Sequence, residues 1–233
     1  MPTFPDPDNR NALAEDCRRC PALAECRERI AWGNGPEDAS VLVVGEAPAA
    51  GETRTSGASR DSERGTERPA SAGDPDADRW RGGNRTGLAY TSRRSGRKIR
   101  EIVADAGYAG DAYYTNAAKC FPADPDEPTD NREPTAEERA NCRPYLVEEI
   151  GEIDPVAVLA TGKHATKSVL AVEGQRLDGF LDSVLEPVDC EQLGTTLVPL
   201  VHPSYQEVWI GRLGYSREGY VEAIRETLSE LRG

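Results

Sequence analysis

The chain has 233 residues, enough to bury a sizeable core and most simply read as one domain over 1–233. Its formal net charge is −13, with four lysines beside twenty-four arginines, which excludes the broad basic surface of an ordinary nucleic-acid binder. The composition is that of proteins adapted to high salt, where the Debye length falls to about 3 Å at 1 M and local arginines outweigh net charge.

The opening "MPTFPDPDNRNALAEDC" is polar and has no apolar core of a secretory signal. Nor does any run approach the ~18 apolar residues of a membrane helix. The expected location is therefore the cytoplasm, with no membrane partner, and there six cysteines point to metal before disulfide. Cys17 and Cys20 form a compact Cys-x2-Cys pair in surroundings too polar for core, followed by Cys26. "ASVLVVGEAP" at 39–48 has the pattern of a buried strand ending in a Gly/Pro turn. Residues 53–86 are rich in Arg, Asp, Ser, Gly and Pro, with Trp80 the only large apolar residue. They are expected to be a disordered insertion. "SGRKIREIVADAGY" at 95–108 predicts a helix, and "DAYYTNAAKC" at 111–120 a second strand. A helix over 135–153, a strand over 154–163, a helix over 163–172 and a strand over 195–205 follow. An amphipathic helix over 216–232, N-capped by Ser216, closes the chain.

Short apolar strands alternating with helices predict an α/β fold: a three-layer αβα architecture around a central, mostly parallel, four-stranded sheet. Such sheets bind ligands at the carboxyl ends of their strands, here "GEAPAAGE", "TNAAKC", "ATGKHA" and "VHPSY". Cys120 and Cys142 can supply a second thiol pair to Cys17 and Cys20. Four thiolates suit zinc or an iron–sulfur cluster, and spacing does not separate them. Cys190 reads as a small buried residue.

Together, Cys-x2-Cys-Pro, "VVGEAP" with Glu52, "GLAYTSRRSG", "TNAAKC", "NREPTAEERANC" and "HPSY" resemble the iron–sulfur uracil-DNA glycosylases of types 4 and 5. Singly each string is weak; their order and spacing are specific. The resemblance implies a monomeric DNA-repair enzyme that releases uracil from DNA. It implies a structural [4Fe–4S] cluster on Cys17, Cys20, Cys120 and Cys142, with Cys26 a competing fourth ligand. It places uracil against the backbone of Gly45 to Ala47, with Tyr90 stacking on the ring and Asn116 reading its edge. Glu52 falls near the C5 edge, where it can exclude the thymine methyl. His202 matches the histidine of the "HPS" motif, and Glu46 is the favoured acidic catalyst. Ala47 and Ala49 stand where type-4 members often have Gly, and "GEAPAA" and "GNRTG" are similar to type 5.

The chemistry of these residues agrees with that role. An Asn amide can accept from uracil N3–H and donate to O4, whereas cytosine presents the opposite pattern. A neutral imidazole donating to O2 would stabilise the charge left as the glycosidic bond breaks. Arg93, Arg94, Arg97 and Lys98, in a cationic loop feeding a helix, are expected to contact phosphates. His164 reads as structural or phosphate-contacting, and Tyr205 and Gln206 as residues that contact the flipped nucleotide or replace it in the duplex. Two other readings stand beside this one: a non-catalytic iron–sulfur nucleic-acid-binding protein, and a zinc-stabilised α/β protein that binds a phosphorylated small molecule.

Overall fold

The computed structural model describes residues 2–51 and 79–232. Seven strands form one sheet: β1 (Arg10–Asn11), β2 (Gly33–Asn34), β3 (Val41–Gly45), β4 (Ala112–Asn116), β5 (Ala157–Thr161), β6 (Val188–Cys190) and β7 (Thr195–Leu200). Their spatial order is β1-β2-β4-β3-β5-β7-β6. The expected four strands are its parallel centre, β4-β3-β5-β7. The expectation of four strands in all is corrected to seven, because β1, β2 and β6 add antiparallel edges. These edge strands are only two or three residues long, too short to carry an alternating pattern.

β3 reads as an unbroken apolar run because both of its faces are covered. Helices alternate with the strands: α1 (Pro21–Cys26), α2 (Gly83–Thr86), α3 (Ser95–Val103), α4 (Ala136–Ile153), α5 (Lys163–Leu170), α6 (Gln206–Arg212) and α7 (Arg217–Glu230). Val41 and Val43 belong to one core cluster with Ile99 and Ile102 of α3 and Tyr220 and Ile224 of α7. Leu42 and Val44 belong to another, with Leu146 and Ile150 of α4 and Ala165 and Val169 of α5.

The ends of the helices follow from local chemistry. Thr135 and Glu138 make a reciprocal capping box at α4, and Arg132 grips the same Glu138 carboxylate through two bonds of 2.8 and 2.6 Å. The Ser216 hydroxyl accepts from Gly219 N–H at 3.0 Å, as its N-cap position predicts. The helix expected over 95–108 is α3 followed by one π turn, which ends around Gly107 at φ 104.

Of the expected insertion, residues 53–78 lie outside the described residues, while 79–86 belong to the folded body. Trp80 is buried, meets Phe4 edge-on at 5.3 Å and carries the Arg97 guanidinium 5.0 Å above its ring. No helix among the described residues is long and apolar enough to cross a membrane.

Candidate active site

The central strands end level: Gly45 pairs with Asn116 across β3 and β4, and Thr161 with Leu200 across β5 and β7. The residues that follow each strand therefore meet at one edge. Two bonds join the first two loops, Ala117 N–H to Gly45 O at 2.7 Å and Ala118 N–H to Glu46 O at 2.9 Å. At Gly45 a Cβ would lie 2.5 Å from Asn116 Oδ1 and 2.8 Å from the Tyr90 hydroxyl. Only glycine lets both side chains reach this point.

Tyr90 sits in the left-handed region, at φ 53, a conformation that must be held by its neighbours. Arg100 donates to its carbonyl at 3.1 Å, and the absent side chain of Gly96 makes room for that carbonyl. Its hydroxyl shares a 2.5 Å bond with Thr161. Tyr90, Asn116, Ala47, Thr161 and His202 line a cavity of about 140 Å³. Asn116 is 3 % exposed, and its Nδ2 has no hydrogen-bond partner among the described residues. An amide donor in that position costs free energy unless a ligand accepts from it.

His202 opens the turn after β7. Its Nδ1 accepts from Ser204 N–H at 3.2 Å, which assigns the ring proton to Nε2 and makes that atom a donor. Burial lowers its pKa, and nearby His164 lowers it further, so the ring is neutral near pH 7. Glu46 is its counterpart. Burial, assisted by the charge of Glu133 and opposed by Arg139, raises its carboxyl to about 7. Its Oε1 also lacks a hydrogen-bond partner among the described residues.

A larger cavity of about 500 Å³ adjoins the first, and Thr161, His202, Ser204 and Asn131 line both. His164 stands in it between two carboxylates, 2.9 Å from Glu133 and 4.0 Å from Glu46. Burial lowers its pKa, against the raising effect of Glu133. Sequence reasoning missed Thr161 and Glu133. Thr161 ends a strand at the predicted edge, a signal that was available; Glu133 lies in the "NREPTAEERANC" string, where no spacing singles it out.

The structure thus brings Gly45, Glu46, Ala47, Tyr90, Asn116 and His202 together. Glu52 lies outside the described residues. Arg93 and Arg94 precede α3, and Arg97 and Lys98 lie in its first turn, which the Ser92 hydroxyl supports by accepting Gly96 N–H at 2.8 Å. Tyr205 is exposed beside His202, with ring centroids 5.8 Å apart, whereas Gln206 is buried.

Beyond Asn116 the same segment reaches a third cluster, where Cys120, Leu23, Trp32 and Tyr145 are buried and Cys17, Cys20 and Cys26 pack against them. All six thiols are free. Among the described residues no three His, Cys, Asp or Glu side chains are grouped so as to hold a single metal ion. The thiols nevertheless fall into two kinds. Arg27 donates to Cys120 Sγ at 3.3 Å and Asn141 to Cys20 Sγ at 3.5 Å. Burial raises the Cys142 thiol, and the Lys119 backbone opposes that. Cys26 instead donates, to Phe121 O at 3.2 Å, and Cys190 donates to Val188 O at 3.7 Å. Donors aimed at sulfur suit thiolates, the form in which a cysteine binds metal.

Similarity to known proteins adds to this geometry. The type-4 uracil-DNA glycosylase of Pyrobaculum aerophilum is 28% identical over 171 residues, covering 73% of this chain and 67% of that protein. The type-5 uracil-DNA glycosylase of the same organism is 28% identical over 244 residues, covering 92% of this chain and 89% of that protein. The type-5 enzyme of Mycobacterium leprae is 27% identical, with 87% of each chain covered. The family model of the uracil DNA glycosylase superfamily matches residues 70–228, more than half of the chain, and the chain belongs to that superfamily.

Proposed function

We propose that this protein hydrolyses the N-glycosidic bond of deoxyuridine in DNA, releasing uracil and leaving an abasic site. The observation that carries the reading is the Asn116 Nδ2, buried without a hydrogen-bond partner among the described residues, in a cavity that His202 also lines. An enzyme of this class flips its nucleotide out of the stack, at a cost of a few kcal/mol, and reads the extruded base in a pocket. Asn116 then donates to O4 and accepts from N3–H, Tyr90 stacks on the ring, and the Gly45–Ala47 backbone closes one side. Cytosine would oppose both amide groups, each mismatch costing about 1–3 kcal/mol. As the bond breaks, charge moves onto uracil O2 and His202 stabilises it. Glu46 holds a water for attack or faces the cationic sugar. Glu52 is assigned the C5 edge by resemblance, and Arg93, Arg94, Arg97 and Lys98 the phosphates.

The donor set fits a [4Fe–4S] cluster held by Cys17, Cys20, Cys120 and Cys142. A cubane keeps its thiolates further apart than a single zinc ion, whose bonds of about 2.3 Å draw four sulfurs tightly together. When bound, the cluster ties the N-terminal segment to the "TNAAKC" loop and α4, a structural contribution. DNA as substrate and reduced thiols are consistent with a cytoplasmic enzyme, and the acidic composition with work in high salt. The two apolar clusters on β3 support a three-layer αβα architecture.

The test is release of free base from oligonucleotides carrying U, T, hypoxanthine or xanthine, in high salt. Uracil release is the expected result, and its absence with folded, iron-replete protein overturns the reading. Ser at Cys17, Cys20, Cys120 or Cys142 should lose iron and fold together, since ligand binding contributes folding free energy. Ser at Cys26 or Cys190 should retain iron; the reverse pattern removes the ligand assignment.

A further inference from the structure

We propose that a cationic dent between α4 and α5 binds a backbone phosphate of the DNA strand that carries the flipped nucleotide; this extends the reading of the Asn116 pocket given above. The dent, of about 180 Å³, is floored by Ala117, Ala136, Ala171 and Leu146, and three cations stand around it. Arg139 and Arg143 are one helical turn apart on α4 and so share a face, while Lys167 comes from α5. The small alanines make room, and the long side chains supply the rim.

The chain carries −13, yet among the described residues no acidic side chain lines this dent. Arg143 and Lys167 enter no ion pair among the described residues, and Arg139 spends one guanidinium nitrogen on the Pro134 carbonyl. Three like charges around one dent repel one another, and an anion between them reverses the sign of every term. Guanidinium and ammonium groups together match phosphate oxygens.

Ala117 follows Asn116 directly, and Lys163, on the exposed start of α5, lines the 500 Å³ cavity of the active site. The charge of Arg139 reaches both Glu46 and His164, and that of Lys167 reaches His164. Arg93, Arg94, Arg97 and Lys98 lie just before and within the first turn of α3, whose apolar residues belong to the core cluster on the other face of the sheet. Cations thus flank the strand-end site on both sides, as a strand crossing the sheet edge requires.

The test compares wild type with Arg143→Ala/Lys167→Ala, and with Arg176→Ala/Arg225→Ala as a charge-matched control elsewhere on the surface. Binding to a uracil-free oligonucleotide is measured from low to high salt, beside single-turnover uracil release. Loss of one phosphate contact should flatten the log K against log salt slope by about 1 and weaken low-salt binding about ten-fold. KM should rise with kcat unchanged, and Arg143→Lys/Lys167→Arg should restore most of the slope. Equal slopes for wild type and a folded double-alanine variant overturn the proposal, as does an equal flattening in the control. If wild type releases no uracil, the glycosylase reading fails, while the uracil-free slope still decides the phosphate site. Pyrophosphate at matched ionic strength separates the sources. A variant that loses pyrophosphate competition but keeps the DNA slope makes the dent a small-anion site and overturns its assignment to DNA.

Discussion

Two buried polar clusters sit within one turn of chain of each other, and they are built on opposite plans. Lys119 and Glu149 are 1 % and 0 % exposed at their side chains and form an ion pair. Lys119 also donates to Thr115 at 2.6 Å, and Glu149 accepts from Thr115 at 2.6 Å, from Gly33 N–H at 3.1 Å and from Tyr113 at 3.4 Å. Each of these groups has its partner inside the chain. Asn116, in the same segment, and Glu46, just after β3, each keep a buried polar atom with no hydrogen-bond partner among the described residues. The first cluster fixes where β4 ends relative to α4 and the edge strand β2. The second is left incomplete, and an incomplete buried set persists only where something else completes it.

The largest effect should come from breaking the complete cluster. Lys119→Met leaves the Glu149 carboxylate buried and unpaired, a loss of about 3–5 kcal/mol in urea or thermal unfolding. Lys119→Met/Glu149→Leu should recover most of it, because no charge is then stranded. A tolerated single variant would erase the distinction between the two clusters.

Site variants should behave in the opposite sense. His202→Ala should slow single-turnover uracil release by about 10²–10³, the usual loss for one donor to a developing oxyanion. Its unfolding midpoint should stay near wild type, since among the described residues the ring bonds only the Ser204 N–H. Asn116→Ala removes an unpaired buried donor, so its stability should hold or rise while uracil release falls. Strong destabilisation by either substitution would place these residues in the scaffold instead.

The sequence discloses these two clusters unequally. β3, β4, β5 and β7 were legible because strands buried on both faces leave continuous apolar runs between Gly/Pro breaks. Asn116 and His202 were legible because one ends such a strand and the other stands just beyond one, and by resemblance. Lys119 was visible only as a letter within "TNAAKC", since its partner Glu149 lies 30 positions away in an acidic helix, where a glutamate is unremarked. Tertiary pairing of that kind leaves no period. The left-handed backbone of Tyr90 was hidden for a related reason. It is imposed by Arg100 and Gly96 from the next helix and not by the residues beside it. The packed segment 79–86 was masked by a composition that continues the polar run before it, with Trp80 its single apolar signal.

The smallest expected effect tests the incomplete cluster through pH. Burial holds the Glu46 carboxyl at about 7 in the folded protein, against an ordinary value of 4.5. Between those values the folded state binds the extra proton, so this group lowers stability progressively as pH rises from about 4.5 through about 7. Glu46→Gln keeps the shape and removes the charge. At pH 5 the variant should match wild type, and at pH 8 it should be more stable, by on the order of 1–3 kcal/mol. Catalysis should run the other way. If ionised Glu46 holds the water or faces the sugar cation, wild-type single-turnover release climbs with pH through about 7, and Glu46→Gln is slow and flat. The two profiles cross for one reason: the charge that disfavours the empty fold is the charge the reaction uses. A wild-type rate independent of pH between 6 and 8, with Glu46→Gln equally active, would leave Glu46 as a loop residue and assign the acid's role elsewhere in the cavity.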